Sequence, residues 1–145
     1  MTQLDQFLSR AEALLTRLEA ILPHSNPAPD WRVGTAFRWR KHGGKEGRGY
    51  LQPVAHMAPI TLSDLHNIEA QKQQIEQNTK QFVRGRPANN VLLTGARGTG
   101  KSSLIKACLN QYASQGLRLI EVDKDDLGDL PDIVDLVAGR PERFV

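Results

Sequence analysis

Cysteine is all but missing from this 145-residue chain: Cys108 stands alone, so no internal disulfide can staple the fold. That usage suits a reducing compartment. Aromatic residues are scarce, at 6%, and hydrophobic residues reach only 39%, somewhat under ordinary globular usage. No apolar run approaches the ~18 residues that cross a bilayer. The amino-terminal stretch is interrupted by Asp5, Arg10, Glu12, Arg17 and Glu19, which leaves no apolar region for a signal peptide. A cytoplasmic chain with no membrane contact is expected. The length allows one ordinary domain and little more.

Glycine and proline, by contrast, are plentiful, and charge is unevenly spread. The net charge of +3 hides a basic stretch over residues 31–58, where six cations face only Glu46. Residues 1–22 carry the clearest helical period, with Leu4, Phe7, Leu8, Ala11, Leu14, Leu15, Leu18, Ile21 and Leu22 spaced for one face. Thr2 can cap this helix and Pro23 stop it. Its stripe reads as an ordinary packing helix, or as a contact with another subunit or protein partner.

Residues 23–58 form a second unit, a proline-rich linker followed by a basic aromatic segment. Trp31, Phe37, Trp39 and Tyr50 interleave with Arg32, Arg38, Arg40, Lys41 and Arg48. Rings between cations can stack bases and follow phosphates, so residues 31–50 are a candidate nucleic-acid-binding module. The plainer reading is a basic strand pair around Gly43-Gly44, packed on the domain through Phe37 and Trp39.

Residues 59–145 form the third unit. A helix capped by Ser63 or Asp64 is predicted, with Leu65, Ile68, Ile75 and Phe82 on its buried seam. A strand follows at Val91–Thr94, and then Gly95-Ala96-Arg97-Gly98-Thr99-Gly100-Lys101-Ser102, which satisfies the phosphate-loop pattern G-x-x-x-x-G-K-[ST]. Glycines let backbone N–H groups curl around a phosphate, and the next helix turns its positive end to the same oxygens. Gly95, Ala96, Arg97, Gly98, Thr99, Gly100, Lys101, Ser102 and Ser103 are therefore the nucleotide-binding set. Within it Lys101 is placed for terminal phosphates and the Ser102 hydroxyl for Mg²⁺.

Leu104, Ile105, Cys108, Leu109 and Tyr112 mark the buried side of the helix after the loop, which ends near Gln115 with Gly116 as its stop. Leu117–Val122 is the next strand. Pro131 opens a short helix with Ile133, Val134 and Val137 inside, and Arg143-Phe144-Val145 begins another strand. Asp123, at a strand end, is the one candidate catalytic carboxylate. If it acts near an acceptor, the chain is a small-molecule kinase; otherwise it simply turns the chain.

Phe37-Arg38-Trp39-Arg40, Asp64-Leu65, Pro87-Ala88-Asn89-Asn90-Val91-Leu92-Leu93, the phosphate loop, Leu117–Lys124 and Gly139–Phe144 together resemble a family of uncharacterised bacterial AAA-type P-loop ATPases, a domain of unknown function. The resemblance implies an α/β fold with parallel sheet order 5-1-4-3-2, ATP and Mg²⁺ as ligands, and ring-forming or partner-remodelling behaviour. It also implies that the family continues past Phe144 into an apolar strand ending in acids. This chain then reads as the front half of such a domain, a truncated member with little hydrolysis of its own. On that order the strands Val91–Thr94 and Leu117–Val122 are not neighbours, so unpaired edges and marginal stability are expected. His66-Asn67 depart from the small residue and glycine expected beside an adenine.

Overall fold

A computed structural model of the chain describes residues 3–21, 28–43 and 47–145. The expected Thr2 cap, the stop at Leu22-Pro23, the first part of the linker and Gly44 of the turn lie outside the described residues. Helix α1 spans Gln3–Ile21, as its periodicity predicts. Its apolar residues Leu4, Phe7, Leu8, Leu14, Leu15 and Leu18 are exposed, which corrects the packing-helix reading.

The sheet begins in the basic segment. Strand β1, Ala36–Lys41, runs antiparallel to β2, Gly49–Pro53. Alternation puts Phe37 and Trp39 on one face and Ala36 and Arg38 on the other. Strand β3, Leu117–Glu121, lies parallel to β1, with Phe37 opposite Ile120 and Arg38 opposite Glu121. The short strand β4, Arg143–Phe144, completes the order β2-β1-β3-β4.

This order corrects the expected 5-1-4-3-2. The strand predicted at Val91–Thr94 is irregular, with Leu92 86% exposed. A strand exists only where a neighbour completes its ladder, and none of the described strands pairs with this segment. Strand β3, in contrast, is paired on both edges, because the hairpin β1–β2 takes the side expected to stay open. The unpaired edge foreseen for Leu117–Val122 is therefore absent.

Helices cover both faces. Helix α3, Lys101–Tyr112, places Leu109 and Tyr112 against Ala36 and Leu117. A 3-10 turn and the left-handed Gly116 (φ 96°) end it where predicted. On the other face α4, Leu130–Val137, sets Ile133 against Trp31, Phe37, Trp39 and Leu51. Helix α2, Glu69–Val83, packs on α3 through Ile75, near Leu104, Ala107 and Cys108. It starts later than expected because Asp64 closes a separate 3-10 turn, accepting from the Thr61 N–H at 2.7 Å. The left-handed Asn67 (φ 64°) then redirects the chain. Ile105 and Val134, expected inside, are exposed.

Candidate functional site

The phosphate-loop sequence folds into a tight bend. Gly98 (φ 85°) and Gly100 (φ 87°) are both left-handed, a region that side-chain-bearing residues rarely adopt. Gly100 immediately precedes α3, whose first helical bond runs from the Leu104 N–H to the Gly100 carbonyl at 2.8 Å. Helix geometry leaves the N–H groups of Lys101, Ser102 and Ser103 without intrahelical acceptors. They are donors at the positive end of a twelve-residue helix.

The Lys101 side chain turns back over the loop. Its Nζ donates to the carbonyls of Gly95 (2.8 Å) and Ala96 (2.6 Å), with Thr99 Oγ1 at 3.3 Å. The Thr99 hydroxyl also donates to the Ala96 carbonyl, at 2.9 Å. The cation thus closes the bend on itself. Ahead of the bend, the side-chain amide of Asn78 grips the backbone of Asn89: Nδ2 donates to its carbonyl and Oδ1 accepts from its N–H, each at 2.8 Å. Sequence reasoning missed this clamp, which depends on a residue from α2.

Ser102 lines a cleft of about 480 Å³ between the start of α3 and the sheet. Arg38, His56, Lys106 and Glu121 line it too. Arg38 places Nη2 at 2.7 Å and Nε at 2.9 Å from the same oxygen, Oε2, of Glu121. The carboxylate sharing a cleft with Ser102 is therefore Glu121. Asp123 does not line it; the structure puts Asp123 ahead of a 3-10 turn, 3.8 Å from Arg40 Nη1. Period-two alternation along β3 could have flagged Glu121, but its pairing with Arg38 required knowing that β1 lies beside β3.

Three of the four rings of the basic aromatic segment are hidden, while Tyr50 is half-buried and stacks on His42. Trp31, Phe37 and Trp39 are buried in the core, so they cannot stack on bases. One of its cations is answered by an acidic turn: Lys41 reaches Asp129 at 2.8 Å and Asp126 at 3.6 Å. Base stacking by Trp31, Phe37 or Trp39, as the nucleic-acid reading of residues 31–50 expected, does not fit this burial. Cys108 is buried, and that burial pushes its thiol pKa up to about 11, so it is structural rather than reactive.

The donors at the loop fit a phosphate group. Three backbone N–H groups lack helical acceptors, a lysine ammonium sits on the same bend, and a hydroxyl follows at Ser102 for a cation. Among the described residues, no cluster of three or more His, Cys, Asp or Glu side chains forms a separate metal site. No helix among the described residues is long and apolar enough to cross a membrane.

A stretch of 76 residues is 33% identical to the Replication factor C large subunit of Staphylothermus marinus. That stretch covers 52% of this chain and only 17% of the relative. No solved structure matches the chain. The likeness supports an AAA-type relationship, in line with the resemblance read from the motifs. Residues 32–145, from the residue after Trp31 through β4, match the family described as Protein of unknown function (DUF815), and the chain belongs to that family.

Proposed function

We propose that the protein binds ATP with Mg²⁺ at the bend Gly95–Ser103, as an AAA-type ATPase relative whose turnover drives movement of a partner. The observation that carries this reading is the Lys101 ammonium resting on the Gly95 and Ala96 carbonyls at the mouth of α3. Terminal phosphate oxygens are stronger acceptors than amide carbonyls, and charge-assisted bonds to them are about twice as strong as neutral ones. The same cation can exchange its loop carbonyls for phosphate with little movement of its stem. The N–H groups of Lys101, Ser102 and Ser103 would cradle the anion, and the Ser102 hydroxyl would hold the Mg²⁺. A bound Mg²⁺ would neutralise developing charge on the phosphates.

Glu121 is the carboxylate placed for the chemistry, as it shares the cleft with Ser102. One of its oxygens is taken up by Arg38, which leaves the other for the chemistry. The expected behaviour is measurable Mg-ATP affinity with slow hydrolysis. A cytoplasmic setting accords with the lone buried cysteine.

Calorimetric titration with Mg-ATP, run beside a phosphate-release assay, tests the site. Lys101→Ala should weaken binding by at least tenfold, equal to about 1.4 kcal/mol, with an unchanged far-UV spectrum. Undiminished affinity in that variant defeats the assignment.

A further inference from the structure

Helix α1 lies ahead of the family-matched stretch and takes no part in the nucleotide site. Its sequence repeats every seven residues, not merely with a helical period. Leu4, Ala11 and Leu18 recur at one position, Phe7 and Leu14 at a second, Leu8 and Leu15 at a third. The polar positions repeat as well: Asp5 with Glu12, Ser9 with Thr16, and Arg10 with Arg17. A packing helix on an irregular core needs no such recurrence, because each turn meets different neighbours. A strict seven-residue repeat is what a helix needs to meet identical helices along its whole length.

The structure leaves this stripe uncovered. Leu4, Phe7, Leu8, Leu14, Leu15 and Leu18 are between 52% and 68% exposed. The charges bordering it decide the orientation of a partner. At 100° per residue, Asp5 and Glu12 fall along one flank of the stripe and Arg10 and Arg17 along the other. All four side chains are exposed. When identical helices pack in parallel, the acidic flank of one meets the arginine flank of the next. When they pack antiparallel, like flanks meet, and juxtaposed like charges oppose association.

We infer that α1 joins copies of this chain in a parallel helical bundle. Leu4, Ala11 and Leu18 run down the middle of the seam with Phe7, Leu14, Leu8 and Leu15 to either side, and Glu12 of one copy faces Arg10 or Arg17 of its neighbour. The occupant of the apolar stripe is a second copy of the same helix. The inference does not rest on the nucleotide site, and it holds or fails separately from it.

Sedimentation equilibrium of the whole chain should return a multiple of the 16.1 kDa protomer. Leu8→Asp with Leu15→Asp should reduce it to the protomer without altering Mg-ATP affinity. Glu12→Arg should weaken assembly, and adding Arg10→Glu and Arg17→Glu should restore it. In a Leu8→Cys variant, oxidation should link position 8 to position 8. A monomer at tens of micromolar overturns the inference, whether or not that monomer binds anionic lipid vesicles. So does a swap that fails to restore assembly, or preferential linking of Leu8→Cys to Leu15→Cys when the two variants are mixed.

Discussion

Trp39 and Asp129, ninety positions apart, are joined by a hydrogen bond from the indole Nε1 to Oδ2 at 2.9 Å. Lys41, on the same strand β1, reaches the same oxygen at 2.8 Å. One carboxylate therefore satisfies a buried indole N–H and a neighbouring ammonium at once. It ties the hairpin to the turn that leads into α4, and it explains why the basic segment is folded into the sheet.

Acid should loosen this tie. The Lys41 hydrogen bond, then that from Trp39, holds the Asp129 carboxyl below its ordinary value. Asp64, through its bonds from Thr61, and Glu142, through Arg140, are lowered as well. A lowered carboxylate stabilises the fold fully above its unfolded pKa, and that contribution is lost as pH falls through the folded value. The melting temperature should therefore be flat near neutrality and fall below about pH 4. Asp129→Asn should melt lower at neutral pH and show a shallower acid slope. A parallel pair of melting curves across that range would refute the tie.

Gly49 should not accept a methyl group. A Cβ built there would overlap Trp39 Cζ2, on the ring that anchors the first core cluster. Gly49→Ala should destabilise the protein by about 1–3 kcal/mol in urea denaturation, as overpacking does. Gly128→Ala, whose Cβ meets nothing within 4 Å, is the matched control and should change little.

Arg118 is a buried cation held by carbonyls. Its Nε and Nη2 donate to the Trp31 carbonyl at 2.9 and 2.6 Å. Its Nη1 donates to the Ala113 and Leu117 carbonyls at 2.9 and 2.8 Å. It therefore pins the Trp31 segment to the end of α3. Arg118→Met keeps the bulk but strands these acceptors, and should cost on the order of 3 kcal/mol. Arg118→Lys should recover only part of the loss, because an ammonium lacks the planar fork. Equal stability of all three proteins in denaturant titration would show that the carbonyls find other donors.

The elements that periodicity alone defines were legible. Helices α1 and α3 and strand β3 follow from local spacing, and Gly116 ends α3 as its position predicts. The phosphate-loop bend was legible for the same reason, since glycines, lysine and serine act within one short segment. What failed were statements about neighbours. Val91–Thr94 has strand composition but pairs with none of the described strands. Ile105 has core chemistry but an exposed place. Trp39 and Arg40 look like a base-stacking pair until the sheet buries one and pairs the other with Gln52 and Asp123.

The chain's own order of residues determined the bend Gly95–Ser102, because a left-handed glycine, a helix start and a lysine are consecutive and act within one short segment. It also determined a seven-residue repeat at the amino terminus. Only the tertiary structure decided that β1 lies beside β3, that Glu121 rather than Asp123 shares the cleft with Ser102, and that Trp39 meets Asp129. Those contacts join residues dozens of positions apart. Side-chain packing and ladder completion select them across the whole fold, and no local pattern encodes which distant partner wins.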